Sequence, residues 1–205
     1  VRARDPATMC NQYTPASATA LARQFGLVPR PDYTPTEVFP RTRGWFIRRD
    51  PQQAGHTREL VPGQWGLIPW FAKTPKLSFS TNNARAEELA EKASYKQPWA
   101  RRQRCLIPAE VFREPCWETG KNVWWSFRRA DGDAFALAGL WNTWVDRATG
   151  ELHESYTMLT INADDHPVMR LFHKPTDEKR MVVILPPEHY QDWLEAPVER
   201  SMAFM

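Results

Sequence analysis

Apolar and polar positions alternate in short bursts along this chain, and each burst predicts a small element. From Ala16 the run Ala-Ser-Ala-Thr-Ala-Leu-Ala-Arg-Gln-Phe combines helix formers with a closing Gly26, which predicts one short helix. Between Pro31 and Pro62 the apolar stretches are brief, as in Trp45-Phe46-Ile47, and lie among Pro, Arg and Thr; loops around short strands are expected there. A second helix is predicted over residues 84–94, whose Ala, Glu, Leu and Lys are good formers, with Asn82 or Asn83 as its N-cap. Strand-like runs follow at 105–107, 123–128, 135–141, 156–161 and 181–185, joined by turn signals such as Ala130-Asp131-Gly132-Asp133. Residues 187–194 read as a last helix opened by Pro187. The expected class is α+β: a single domain, mostly an antiparallel β-sheet, barrel-like, with a few short peripheral helices.

Composition adds little to that until its outliers are considered. At 205 residues, 42% hydrophobic and 25% charged, the chain can bury a core and is not expected to be disordered. Eighteen Pro fit many turns and few long helices, and ten Trp supply rigid surface for a core or for stacked bases. The net charge of +3 permits nucleic-acid binding without arguing for it. Clustering says more: Arg41, Arg43, Arg48, Arg49 and Arg58 fall in one segment and Arg101, Arg102 and Arg104 in another, both flanked by aromatics. Three cysteines without a C-x-x-C spacing suggest neither a disulfide framework nor a zinc site, and no metal or other cofactor is expected. No run of eighteen apolar residues exists, so no membrane association is expected, and a cytoplasmic location (with the nucleoid, in a bacterium) fits a reducing compartment. Residues 1–8 read as an extension upstream of a natural start at Met9.

Cys10 follows Met9, and trimming of an initiator Met before so small a residue leaves Cys10 with a free α-amine. That is a 1,2-aminothiol. Its amine titrates roughly 2.5 units below a Lys, so it attacks aldehydes near neutral pH, and the thiol then closes a five-membered thiazolidine. A small buried cysteine near a terminus is the alternative. Trp65-Gly66-Leu67-Ile68-Pro69-Trp70 reads either as a core strand entering a Pro turn or as a platform for bases. Asn83 and Arg85 stand at the start of the predicted second helix, a place suited to capping or to an anion. Glu114 ends the apolar run from Arg104, where burial would raise its pKa, and His173 lies between Leu171-Phe172 and a charged loop.

Together, Met9-Cys10, the Trp65 to Pro69 block, Asn83-Ala84-Arg85, the run Arg104-Cys105-Leu106-Ile107-Pro108-Ala109 leading to Glu114, and His173 ahead of Arg180-Met181 resemble the SRAP family. These are the SOS-response-associated peptidase domains that process abasic sites, and the resemblance covers residues 9–205. It implies a damage-response protein that binds single-stranded DNA, as a monomer, and traps the ring-opened abasic sugar as a covalent thiazolidine. Lyase and autopeptidase activities are further possibilities within the family. Cys10 would be the nucleophile, Asn83 would hold its amine, Glu114 would shuttle protons, and His173 would protonate the sugar oxygen, with His166 as its rival. Trp65, Pro69, Trp70, Arg85, Arg104 and Thr160 would contact DNA. The chain departs from the family's usual Met-Cys-Gly-Arg start with Asn11-Gln12, and has Val111 and Pro115 where Gly and Trp are common. Two other readings stay open: a thiol peptidase pairing Cys10 with His173, and a noncatalytic nucleic-acid binder.

Overall fold

A mixed sheet of ten strands dominates the computed structural model, which describes residues 10–50, 52, 53 and 55–205. In chain order come β1 (Gln12–Pro15), α1 (Ala18–Phe25), β2 (Arg43–Arg49), β3 (Arg58–Trp65), β4 (Asn83–Arg85) and α2 (Lys96–Ala100). Then follow β5 (Arg104–Cys116), β6 (Val123–Phe127), β7 (Phe135–Val145), β8 (Leu152–Asn162), β9 (Arg180–Val182), β10 (Ile184–Leu185), α3 (Tyr190–Glu195) and α4 (Val198–Ser201). Neighbours run β5-β2-β3-β8-β7, and β7 pairs back onto β5, closing a barrel whose central strands have no free edge. The pairs are antiparallel except that β3 and β4 lie parallel to β8, so the α+β, barrel-like, single-domain expectation holds.

β5 does two jobs. Its first half, Arg104 to Ala109, pairs with β7 and closes the barrel. Its second half leaves β7 and takes β1 on one edge and β6 on the other, so that Phe112 faces both Tyr13 and Phe127. Both faces of the strand are buried, because successive side chains alternate between two cores. Cys105, Ile107 and Ala109 join Phe46, Trp65, Leu137, Tyr156 and Met158 in one core. Leu106 joins Trp45, Ile47, Leu140 and Trp193 in the other, under α1 and α3. A Cβ at Gly139 would sit 2.6 Å from the Thr157 carbonyl oxygen and 2.8 Å from Cys105 Sγ, so only glycine lets β7 pass there.

Local signals succeeded where the chain closes its own hydrogen bonds. Ser17 Oγ accepts from the Ala20 N–H, and Gly26 ends α1 at φ +67°. They failed over residues 84–94. Asn83–Arg85 is a strand parallel to β8, with Ala84 opposite Leu159, and a single 3₁₀ turn, Ala86–Glu88, follows it. Burial of Ala84 and Ala86 against β8 and its neighbours outweighs the weak helix propensity of ten residues. Asn82 and Asn83 therefore cap no helix, and no helix N-terminus stands there to attract an anion.

Candidate active site

The site gathers at the free end of β5. β1 adds to this end in a register that sets Gln12 opposite Arg113, bringing the fully buried Cys10 beside Glu114. Tyr13 fixes that register. Its backbone exchanges hydrogen bonds with Val38, its hydroxyl meets that of Tyr156, and its ring packs edge-on against Trp65 at 5.2 Å. From the opposite side, β4 presents Asn83 and Arg85 on one face, two residues apart. Asn83 Nδ2 donates to the Cys10 carbonyl oxygen at 3.0 Å, and Asn82 Nδ2 reaches the same oxygen at 3.5 Å. Asn83 thus holds the Cys10 carbonyl rather than its nitrogen. Its Oδ1 is buried without a partner among the described residues.

His173 arrives from a turn stitched to β5 by a bridge between Phe172 and Cys116 and by its own N–H on the Pro115 carbonyl. Its backbone is left-handed, φ +65°, an uncommon state for a residue other than Gly and one that the surrounding bonds must hold. The ring meets the Glu114 carboxylate, Nε2 to Oε2 at 3.0 Å, with both side chains 1% exposed. The Arg180 N–H donates to Nδ1 at 3.4 Å, which places the proton of a neutral ring on Nε2, directed at Glu114. His166 lies elsewhere: its Nδ1 accepts the N–H groups of Val168 and Met169 and so caps a turn.

Burial governs the electrostatics. It raises the Glu114 pKa from its ordinary 4.5, against the opposing pull of His173 and of a hydrogen bond from the Cys10 backbone N–H. Burial, then the Glu114 charge, pushes the Cys10 thiol well above its usual range, so near neutrality the sulfur keeps its proton. A thiol peptidase needs a thiolate matched to an imidazole. Here both ring nitrogens of His173 are engaged by Glu114 and Arg180 rather than by sulfur.

The residues expected to touch DNA divide sharply. Trp70 is 56% exposed, edge-on to Phe71, and Arg85 is half-exposed with Nη1 2.6 Å from Glu178. Trp65 is 0% exposed and donates its indole N–H to the Asn82 carbonyl, so it offers no face to a base; its ring packs β3 against Tyr13 of β1. Pro69 is buried, and Thr160 is enclosed with its hydroxyl near the Ala84 carbonyl. Arg104 is buried at the other end of β5 between Trp99 and Trp193. For these four, core packing overrides the exposed role expected of them.

Sequence reasoning missed three contributors. Asn82 supports Cys10, Glu178 holds Arg85, and the buried Arg180 binds Glu87, Glu178 and the Thr160 carbonyl, tying β4 to the His173 turn. No local signal gives their roles, since Asn82, Glu178 and Arg180 each act on the site through a partner distant in the chain. Among the described residues, the three cysteines are unpaired, no cluster of three metal-ligating side chains occurs, and no helix is long and apolar enough to cross a membrane.

Known proteins resemble this chain in sequence and, for a solved structure, in fold. The "Abasic site processing protein YoaM" of Bacillus subtilis is 31% identical over 194 residues, spanning 91% of this chain and 79% of that protein. The "Abasic site processing protein YoqW" of the same species is 32% identical over 91% of this chain and 80% of its own length. A crystal structure of a protein from Bordetella bronchiseptica superposes with a TM-score of 0.85 at 40% identity, covering 95% of this chain and 92% of that one. The family model of the SOS response associated peptidase matches residues 9–204, and the chain belongs to that family, SRAP.

Proposed function

We propose that this protein processes abasic sites in single-stranded DNA by forming a thiazolidine between Cys10 and the ring-opened sugar. The observation that carries the reading is the convergence of Cys10, Glu114 and His173 in one buried cluster, with the Cys10 backbone N–H on the Glu114 carboxylate. The protonation states set the order of steps. Cys10 sulfur starts as a thiol, so the less basic α-amine, once freed from residue 9, attacks the aldehyde carbon first. The resulting carbinolamine loses its hydroxyl as water, taking a proton from Glu114, which burial keeps protonated to a higher pH than an exposed carboxyl. The thiol then adds to the imine carbon and its proton passes to the nitrogen, for a net loss of one water. His173 serves as the acid that opens the cyclic sugar, exposing the aldehyde.

Arg85 beside Asn83 and the exposed Trp70 supply phosphate contact and stacking for the strand. The free amine is the requirement on which the chemistry rests, and residues 1–8 and Met9 lie outside the described part of the chain. Intact-mass analysis of protein from its native host, with an abasic oligonucleotide run on a denaturing gel, tests the reading. A chain starting at Cys10 and a denaturation-resistant adduct are expected. An adduct formed equally well by a chain that retains residues 1–9 would overturn the aminothiol mechanism, and salt-sensitive binding with no covalent product would leave only a nucleic-acid binder.

A further inference from the structure

At the barrel-closing end of β5, away from Cys10, lies a polar cavity of about 260 Å³. Arg49, Arg101, Arg102 and Arg104 contribute to its wall, against two acids, Asp50 and Glu195. Glu195 is already engaged by His56, Gln191 and Arg49, so the positive charge of the other arginines is left largely uncompensated. The deepest of them, Arg104, is 1% exposed. Its Nη1 donates to the Trp193 carbonyl at 2.9 Å, and its guanidinium carbon lies 5.6 Å and 5.3 Å from the ring centroids of Trp99 and Trp193. Nε and Nη2 have no acceptor among the described residues. Aromatic faces compensate part of the charge but accept hydrogen bonds poorly, so two buried donors of a cation remain unsatisfied. Burial and the neighbouring Arg102 lower the Arg104 pKa only to about 10, so the cation persists at neutral pH.

Arg102 adds an independent sign. It occupies the position after the C-cap of α2 with φ +56°, where helices ordinarily place Gly. An arginine held there at a conformational cost points to a use for its charge. We propose that this cavity binds a terminal phosphate group, either inorganic phosphate or a phosphomonoester, at a site separate from the Cys10 chemistry. Guanidinium forks match the oxygens of a phosphate and would give Arg104 the acceptors it lacks. A terminal group fits better than a continuous strand, because a phosphomonoester presents three free oxygens to arginines that converge on one cavity.

Arg102→Gly makes the test. Glycine adopts positive φ without strain, so this variant keeps the fold and loses only the charge. Thermal unfolding with inorganic phosphate, against chloride matched in ionic strength, is expected to show a saturable rise in Tm for the wild type. The apparent affinity of the variant should fall roughly tenfold or more, the scale of a lost charge-assisted hydrogen bond, while its Tm without phosphate equals or exceeds that of the wild type. A wild-type response no larger than with chloride overturns the site, as does an undiminished response in Arg102→Gly. Oligonucleotides free of abasic sites, carrying a 5′-phosphate or a 5′-hydroxyl, separate the sources. A preference for the phosphorylated end that disappears in the variant assigns a strand terminus, and a response to inorganic phosphate alone assigns a small free anion.

Discussion

The two ends of β5 bury charge in opposite ways. Around Glu114 the ionisable groups answer one another: the carboxylate takes His173 Nε2 and the Cys10 N–H, and His173 Nδ1 takes the Arg180 N–H, while Asn83 Oδ1 and Arg180 Nε nearby are left without partners among the described residues. Around Arg104 two donors are left over beside a cavity lined by further arginines. At one end the acid, the imidazole and the cysteine N–H are held by one another for chemistry among themselves, whereas at the other a buried cation keeps donors that a visitor can take. The difference lies in what covers each end of β5, because β1 and the His173 turn close over one end while a cavity remains beside the other.

The most severe way to break the comparison is at Cys10. Cys10→Ala is expected to abolish the denaturation-resistant adduct on an abasic oligonucleotide while non-covalent binding, read by fluorescence anisotropy, stays within about twofold, the atoms lost being few. Next is Glu114→Gln, which retains a hydrogen-bonding group but not the proton donor and should slow crosslinking by roughly 10²–10⁴-fold in single-turnover gels.

The same variant sharpens the electrostatic side. Glu114 has a raised pKa in the folded protein, so its protonated form favours folding: both states are protonated below pH 4.5, and stability is lost as pH rises towards the folded value. The Tm of Glu114→Gln relative to wild type should therefore climb from about pH 4.5 upward and level off above the raised pKa. A difference that shrank with rising pH would mean that His173 dominates the carboxylate.

Smaller effects separate packing from binding. Trp65→Ala should destabilise by about 3–5 kcal/mol in urea unfolding, as for other buried tryptophans. Trp70→Ala should leave Tm unchanged and weaken DNA binding by about 1–3 kcal/mol, the worth of one stacked base. The reverse pattern would restore Trp65 as the platform. Smallest is Glu178→Gln: it frees Arg85 from its ion pair, and single-stranded DNA affinity should rise a few-fold, with the salt slope steeper by about 0.7. An unchanged slope would place Arg85 off the phosphate path.

Legibility followed the range of the interactions. The capped helix α1 could be read because Ser17 and Gly26 satisfy its ends locally. The depth of Glu114 could be read because it ends a long apolar run that both cores claim. Asn83–Arg85 misled, since its residues favour a helix and only pairing with β8 makes a strand of them. Trp65 and Arg104 misled for a related reason: a tryptophan or arginine reads alike whether it faces solvent or lies under another element.

What the amino-acid order determined alone was the kit: a cysteine beside a Met, an acid after an apolar strand, a histidine before a charged loop, and enough β-branched and aromatic runs to close a barrel. Tertiary structure decided which groups meet. Cys10, Asn83, Glu114 and His173 lie far apart in sequence and come together only because β1, β4 and the His173 turn dock at one end of β5. Burial then raised the pKa of Cys10 and of Glu114, since the cost of charge depends on the surrounding medium, which no local stretch of chain specifies.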